Sequence, residues 1–242
     1  MKENFIEFKN VDFFYKNKKI LDDLSFSVKV NSFFVLLGSN GAGKSTIFSL
    51  ITRLQNLLKG EIIINNYSIK DYSNAFRDVG IVFQESTLDL DLTVKQNLYY
   101  YGALKGLDFK ETLISIEEEL KELELQEFLD VQVRELNGGH RRKVEILRAL
   151  INKPKILLFD EPTIGLDIKS KYTILNYLRK IVKTRYISVL WITHLFDEIE
   201  ENDYLVIIKK GKIIEQGIVS DIIDKYQYKN LVNTFNNLVE DK

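Results

Sequence analysis

The sequence predicts an α/β protein whose core is a mostly parallel sheet. The run from Phe33 to Leu37 is apolar at every position, which is typical of a parallel strand buried on both faces. Segments 155–159 and 186–193 are predicted as two further buried strands, and helical stretches separate the three. Strands that alternate with helices along the chain indicate a parallel core covered by helices.

The N-terminal part of the sequence predicts a different element. Apolar and polar residues alternate between Phe5 and Val30, on either side of a charged segment at 16–19. Alternation with a period of two predicts strands with one buried face, and the charged segment predicts the turn between them. We therefore expect an antiparallel hairpin or meander in front of the parallel core.

The remaining elements are predicted from helical periodicity and turn residues. They are a helix over 47–57 after a glycine-rich turn, charged helices within 85–150, a hairpin over 209–216 and an amphipathic C-terminal helix over about 220–238. The sequence contains no internal repeat, heptad run or flexible linker. We therefore expect a single domain, 1–242, with an inserted helical subdomain at about 85–137.

Composition excludes several classes of function. The chain has 34 Lys and Arg against 35 Asp and Glu, so no overall positive field attracts it to nucleic acid, and we expect no nucleic-acid partner. It has no cysteine, which excludes disulfides, thiolate metal sites and Fe–S ligation. No apolar stretch reaches the ~18 residues that a membrane span needs, and the first residues lack the apolar core of a signal peptide. We therefore expect a soluble, cytosolic protein.

A glycine-rich segment after the first buried strand matches the P-loop pattern G-x(4)-G-K-[ST]. It consists of Gly38, Ser39, Asn40, Gly41, Ala42, Gly43, Lys44, Ser45 and Thr46. Its glycines allow the backbone to wrap around phosphates, and the following helix contributes N–H groups and the positive end of its dipole. In such a loop we expect Lys44 to contact the terminal phosphates and the Ser45 hydroxyl to bind Mg²⁺.

Two carboxylates follow the apolar strand 155–159. Asp160 and Glu161 would stand together at the end of this strand. Taken alone, they fit an exposed turn. After a P-loop they fit a second reading, in which Asp160 binds Mg²⁺ and Glu161 polarises the attacking water.

One further segment resembles the signature of a particular protein family. Leu136, Asn137, Gly138, Gly139 and His140, followed by a basic helix, resemble the LSGGQ signature of the ATP-binding-cassette (ABC) ATPases. Other motifs of that family stand in the same order, at Tyr15, Gln84, the segment 165–167 ending in Asp167, and His194. The resemblance extends over about 5–216. The sequence departs from the family at Asn137, His140 and Ser39, where the family commonly has serine, glutamine and proline.

The resemblance implies a fold and a set of site residues. The fold is that of a P-loop NTPase: a RecA-like core, an N-terminal antiparallel β subdomain and an inserted helical subdomain. Tyr15 would stack on adenine, Mg²⁺ would be held by Ser45, Gln84 and Asp160, and water would be oriented by Glu161 and His194. ATP and Mg²⁺ are the implied cofactors. The nucleotide-contacting set comprises Tyr15, residues 38–46, Gln84, Asn137, Gly138, Gly139, His140 and Asp167.

The same resemblance implies partners. ABC domains act as head-to-tail pairs, so ATP on Lys44 of one copy would be capped by Asn137 and Gly139 of a second copy. We expect an ATPase subunit of a transporter, held at the inner face of the cell membrane by separate permease subunits. Segments 87–98 and 137–142 look most like the ATPases of ABC-2-type exporters. The alternative is a soluble ABC ATPase that drives no transport, such as the Fe–S assembly type.

Single residues leave simpler alternatives open. Tyr15 alone also fits an aromatic residue that packs on the sheet, and His194 alone fits an ordinary hydrogen-bonded histidine. The chain contains only two histidines and both occupy motif positions, which favours function for both. For Arg141 and Arg142, a solvated helix face and a role in the helix beside the nucleotide remain equally open.

Overall fold

A computed structural model describes residues 3–239 of the chain, which fold as two compact units. The first unit combines the chain up to Arg77 with the chain from Ser188 onward, and the second is the intervening segment 78–187. The second unit is larger than the helical insertion expected at about 85–137, because it also contains two strands and two long helices.

Strands and helices alternate through most of the described chain. The strands are β1 (Asn4–Tyr15), β2 (Lys18–Lys29), β3 (Phe33–Gly38), β4 (Lys59–Ile64), β5 (Tyr67–Ser68), β6 (Val79–Val82), β7 (Ile156–Asp160), β8 (Ser188–Thr193), β9 (Tyr204–Lys209) and β10 (Lys212–Ile218). The helices are α1 (Lys44–Ile51), α2 (Tyr72–Ala75), α3 (Val94–Leu104), α4 (Phe109–Ser115), α5 (Glu117–Glu122), α6 (Gly138–Leu150), α7 (Ile168–Arg185), α8 (Val219–Tyr226) and α9 (Leu231–Val239). Short 3₁₀ turns occupy Gln126–Phe128, Val133–Glu135 and Phe196–Glu198.

In the first unit, one sheet is antiparallel, with its strands in the order β2, β1, β4, β5. This confirms the predicted N-terminal hairpin. Its turn is shorter than the expected 16–19, because Lys18 and Lys19 already pair with Tyr15 and Phe14 across the two strands.

The first unit also contains the parallel strands predicted from their apolar runs. Strand β3 lies between β8 and β9 and is parallel to both, and β10 pairs antiparallel with β9. Every residue of β3 and of β8 is buried, as expected for parallel strands covered on both faces. The prediction of an α/β fold with a parallel core is confirmed, and the hairpin expected at 209–216 is formed by β9 and β10.

In the second unit, β6 and β7 form a parallel pair against which α6 packs. A Cβ at Gly80 would lie 2.7 Å from the carbonyl oxygen of Ala149, so glycine allows the end of α6 to touch β6. Helices α3 and α4 both begin with capping boxes, formed by Thr93 with Gln96 and by Asp108 with Glu111. These caps satisfy the first N–H groups of each helix and fix where the helix begins.

Two predicted helices have different boundaries in the structure. Helix α1 begins at Lys44, inside the glycine-rich segment, and ends before Arg53, which has a left-handed φ of 57°. The single C-terminal helix expected at about 220–238 is wrong: Gln227, with φ 56°, ends α8, and α9 begins separately at Leu231. Within residues 3–239, no helix combines the length and the apolar character that crossing a bilayer requires.

A buried carboxylate connects three strands of the antiparallel sheet. Asp12 on β1 accepts a hydrogen bond from the backbone N–H of Asp23 at 2.8 Å, and its side chain is only 4% exposed. Two ammonium groups flank it, from Lys59 at 2.5 Å and from Lys19 at 2.9 Å. These hydrogen bonds, that of Lys59 first, hold the pKa of Asp12 well below its usual range.

We expect Asp12→Asn to weaken the acid dependence of stability. Because the folded pKa is depressed, the carboxylate contributes stability above about pH 4, and this contribution is lost as the pH falls toward the folded pKa. Urea unfolding between pH 7 and pH 2.5 would therefore show a smaller loss of unfolding free energy in the variant than in the wild type. Asp71→Asn removes the same charge from the exposed start of α2 and controls for net charge. Equal acid sensitivity of Asp12→Asn and wild type would contradict this role of Asp12.

Candidate functional site

The glycine-rich segment forms a tight loop between β3 and α1. Gly41 and Gly43 have left-handed φ values of 79° and 110°, which side chains rarely tolerate. At Gly38 the constraint is close approach: a Cβ would lie 2.7 Å from the carbonyl oxygen of Ile208. The loop therefore needs glycine both for its conformation and for its contact with β9.

Lys44 and Ser45 begin helix α1 at the end of this loop. The Lys44 ammonium group donates to the carbonyl oxygens of Gly38 at 2.7 Å and Ser39 at 3.3 Å, so it lies across the loop, and the residue is only 4% exposed. Ser45 is exposed. The first N–H groups of a helix have no partner within the helix and face outward with the positive dipole end. Loop, ammonium group and helix end together form an anion-binding site of the P-loop type.

His194 and Tyr15 belong to the same unit as this loop. Leu37 pairs with Thr193 in the parallel register of β3 and β8, so His194 leaves β8 at the sheet edge where the loop leaves β3. Tyr15 pairs with Lys18 at the end of the β1–β2 hairpin, and its ring is 45% exposed. A Cβ at Gly43 would lie 2.9 Å from Leu21 of the same hairpin. The hairpin end that carries Tyr15 therefore adjoins the phosphate loop.

A buried network flanks His194 and was not predicted from the sequence. Glu198, only 2% exposed, accepts hydrogen bonds from Trp191 Nε1 at 2.9 Å and from Thr193 Oγ1 at 2.5 Å. The backbone N–H of Leu195 in turn donates to Thr193 Oγ1 at 3.0 Å. These bonds fix the backbone on both sides of His194. The available sequence signal was the single tryptophan of the chain beside the histidine motif.

In the second unit, Asp160, Glu161 and Gln84 lie at one sheet edge. Val82 pairs with Phe159 in the parallel β6–β7 register, so Gln84 follows β6 at the edge where β7 ends in Asp160. Asp160 is 7% exposed and Gln84 is exposed. Glu161 adopts a left-handed φ of 45°, so the backbone changes direction directly after β7.

The signature segment forms the start of helix α6. Asn137 is the N-cap, and its Oδ1 accepts a hydrogen bond from the backbone N–H of His140 at 2.8 Å. Because the carbonyl end of the amide is used in this cap, its NH₂ end points away as the donor. The His140 ring packs against Phe128 at a tilt of 37°, with ring centroids 4.2 Å apart. Burial, and then the charge of Lys143, lower the pKa of His140. The imidazole therefore has a packing role beside any contact with a nucleotide.

Asp167 lies against the signature segment. It is the N-cap of α7 and accepts hydrogen bonds from the Ser170 N–H at 2.9 Å and the Ser170 hydroxyl at 2.7 Å, which lower its pKa. A Cβ at Gly139 would lie 2.1 Å from Ser170 Oγ and 3.4 Å from Asp167 Oδ2. Gly139 thus brings the starts of α6 and α7 into contact.

The sequence left the roles of Arg141 and Arg142 open, and in the structure they do not form a solvated helix face. Arg142 is only 8% exposed and donates at 2.6 Å to the carbonyl oxygens of both Phe83 and Gln84. Arg141 donates to the carbonyl oxygens of Val133 at 3.0 Å and Arg134 at 2.7 Å. Both guanidinium groups therefore bind loop backbone.

The donor set expected for Mg²⁺ fits that ion chemically. Ser45, Gln84 and Asp160 offer a hydroxyl, an amide carbonyl and a carboxylate, all hard oxygen ligands of the kind that Mg²⁺ prefers. Among residues 3–239, no three acidic or histidine side chains form a cluster that could hold a metal ion. Few protein ligands are typical of Mg²⁺ that binds together with nucleotide phosphates.

Comparison with known proteins agrees with this geometry. The family model described as ABC transporter matches residues 21–164. A solved structure of the ATP binding subunit of an ABC transporter is 26% identical, with a TM-score of 0.86 over 97% of this chain and 99% of its own. CbiO1 from Clostridium perfringens, part of the ABC transporter complex cbiONQ, shares the fold at 24% identity and a TM-score of 0.83, over 98% and 96% of the two chains. The cassette MJ0796, a dimer in a post-hydrolysis state bound to ADP and Pi, is 28% identical at a TM-score of 0.77, over 88% and 98%.

We expect Gly139→Ala to destabilise the second unit and Gly138→Ala to be tolerated. A methyl group at Gly139 must displace Ser170, at a cost of about 1–3 kcal/mol for overpacking. At Gly138 the nearest atom, of Leu166, would lie at 3.6 Å, an ordinary contact, and alanine favours the helix by up to about 1 kcal/mol. Urea unfolding of the two variants measures the difference. Equal stabilities would mean that the α6–α7 contact is looser than the structure has it.

Proposed function

Since the chain belongs to the ABC transporter family and is an ABC ATPase, we propose that it hydrolyses ATP between two head-to-tail copies and thereby drives transport. The observation that carries this proposal is the loop between β3 and α1. Its two left-handed glycines, the Lys44 ammonium group and the start of α1 form an anion site suited to the phosphates of a nucleotide. Tyr15, exposed on the adjoining hairpin, supplies a ring face for adenine.

On this proposal, the negative charge of the triphosphate is met by Lys44 and by Mg²⁺. Lys44 exchanges its bonds to the loop carbonyls for the terminal phosphates, because ion pairing with phosphate is stronger than a bond to a neutral carbonyl. Ser45, Gln84 and Asp160 would hold Mg²⁺, which would supply positive charge to the phosphates. Asp160 would enter this role as a carboxylate at the end of a buried strand, where strand packing limits its movement.

Glu161 is proposed as the general base. Its carboxylate accepts a proton from the attacking water as the water oxygen approaches the γ-phosphorus. Asp160 is buried whereas Glu161 is partly exposed, so the two neighbouring acids can have different roles. His194, on a backbone fixed by the Glu198 network, orients the γ-phosphate and the water.

The second copy is proposed to complete each site through its signature segment. Asn137 and Gly138 are exposed, and the Asn137 cap leaves the amide NH₂ group to donate to a phosphate oxygen of the partner's ATP. This would allow asparagine to act where the family commonly has serine. The dimeric relative at 28% identity, bound to ADP and Pi, supports a pair of this kind.

The transport role is proposed from the relatives. The structure at 26% identity is described as the ATP binding subunit of a transporter and matches nearly the full length of both chains. By analogy this chain would bind separate permease subunits at the inner face of the cell membrane. The resemblance of segments 87–98 and 137–142 to ABC-2-type ATPases favours export.

We expect Glu161→Gln to bind ATP but to hydrolyse it about 10²–10⁴-fold more slowly, because glutamine keeps the size of the side chain and loses its basicity. Since ATP holds the two copies together, slow hydrolysis would prolong the dimer. Size-exclusion chromatography with ATP and Mg²⁺ compares the variant with wild type, and Glu127→Gln at an exposed site is the matched control. Hydrolysis at the wild-type rate would exclude Glu161 as the base. A slow variant that stays monomeric would instead contradict the head-to-tail pair.

We expect the chain to be recovered in the membrane fraction when it is expressed in its native cells. After detergent extraction, it should remain in a stoichiometric complex with a polytopic membrane protein. Cell fractionation followed by detergent solubilisation and affinity purification measures this. The purified complex should hydrolyse ATP, and its Glu161→Gln form should do so about 10²–10⁴-fold more slowly. Recovery of the whole population in the soluble fraction, without a membrane protein, would favour the non-transport alternative.

A further inference from the structure

The segment 83–88, which carries Gln84, has neither helical nor strand structure. The chain leaves β6 after Val82, and the next helix, α3, begins only at Val94. Residues 84–87 are exposed. A loop of this kind has many backbone conformations unless side chains restrict it. The position of the Gln84 amide therefore depends on whatever holds this backbone.

Three side chains of α6 hold it. We call Arg142, Glu145 and Arg148 the α6 tether. Arg142 donates at 2.6 Å to the carbonyl oxygens of Phe83 and Gln84, and also at 2.6 Å to Glu145 Oε2. The other Glu145 oxygen, Oε1, accepts the Thr87 N–H at 2.9 Å.

The third tether residue, Arg148, also binds Thr87. Arg148 donates to the Thr87 carbonyl oxygen at 2.8 Å and to the Thr87 hydroxyl. The tether thus binds backbone groups of three residues in the loop, Phe83, Gln84 and Thr87. Arg142, Glu145 and Arg148 follow one another at intervals of about one turn of α6, so the helix fixes their spacing.

Burial distinguishes this tether from surface ion pairs. Arg142 is 8% exposed and Glu145 is 2% exposed, and burial lowers the pKa of both Arg142 and Arg148. Removing such charges from water costs nearly as much as their attraction returns, so a buried pair is weak as a source of stability. Its specific effect is geometric, because a guanidinium group presents its donors in a fixed plane that sets two carbonyl oxygens at once.

We propose that Arg142 and Glu145 are positioning residues that hold Gln84 in place as a ligand for Mg²⁺. The inference rests on the proposed function, in which Gln84 and Asp160 share the metal. Gln84 stands at the edge where β7 ends in Asp160, and Arg142 binds the Gln84 carbonyl directly. The tether therefore fixes the backbone from which the Gln84 side chain extends.

The test compares Arg142→Lys with Arg141→Lys. Lysine keeps the charge but cannot bind both carbonyls in the planar arrangement of arginine. Arg141 is the matched control because it stands next on the same helix and also binds two carbonyl oxygens, those of Val133 and Arg134. A general weakening of α6 would affect both variants, whereas loss of the tether affects only Arg142→Lys.

Two measurements are made on the full chain. Without nucleotide or metal, hydrogen–deuterium exchange of 83–88 should accelerate roughly tenfold in Arg142→Lys, the scale expected for losing one or two hydrogen bonds. The Mg²⁺ concentration that half-saturates ATP hydrolysis should rise roughly tenfold, as is typical when a residue that orients a metal ligand is changed. Arg141→Lys should leave both quantities at wild-type values.

The outcomes separate this inference from the function on which it rests. If Gln84→Ala leaves the Mg²⁺ dependence unchanged, the metal role of Gln84 is wrong. If Gln84→Ala raises the Mg²⁺ requirement but Arg142→Lys does not, the positioning role is overturned. An equal rise in both arginine variants overturns it as well. If Arg142→Lys does not fold, Glu145→Gln serves in its place, because it removes the charge that orients Arg142 and keeps an oxygen for Thr87. Faster hydrogen–deuterium exchange of 83–88 and a higher Mg²⁺ requirement are then expected of Glu145→Gln.

Discussion

The close packing of the phosphate loop against its neighbours is the constraint on which the first unit's part of the site depends. A carbonyl oxygen of β9 leaves no room for a side chain at Gly38, and Leu21 of β2 leaves none at Gly43. The loop is also bonded to the β9–β10 turn, where the Gly211 N–H donates to the Ala42 carbonyl oxygen at 2.9 Å. Both sheets of the unit therefore fix one short loop. Such rigidity matters because backbone donors stabilise phosphate only if they need no reorganisation on binding.

In the second unit, the equivalent constraint is electrostatic rather than steric. Helix α6 starts at the exposed residues Asn137 and Gly138 and continues with charged side chains that are largely buried. A charge can be buried only with hydrogen-bonding partners, and here the partners are backbone groups of the loop after β6. One helix consequently determines the position of the signature residues at its start and of Gln84 beside its first turns.

Capping and packing show what the two unusual residues of the signature segment, Asn137 and His140, do in the structure. Asparagine at 137 is among the preferred N-cap residues, so its replacement of serine keeps the start of α6 intact. The imidazole at 140 packs against the Phe128 ring. The departures therefore preserve the structure of the segment, while the amide NH₂ of Asn137 preserves a donor on its exposed side.

The sequence by itself determined the α/β class, the buried strands, the N-terminal hairpin, the phosphate loop and the family, because periodicity and glycine spacing are local properties of the chain. It did not determine where α1 begins, that the C-terminal helix is interrupted at Gln227, or that Arg142 is buried. Helix ends depend on single backbone angles, and the role of a charged side chain depends on which distant loop it meets. Only the tertiary structure brings Arg142 to Phe83, because the two residues are 59 positions apart and nothing in the local sequence of either identifies its partner.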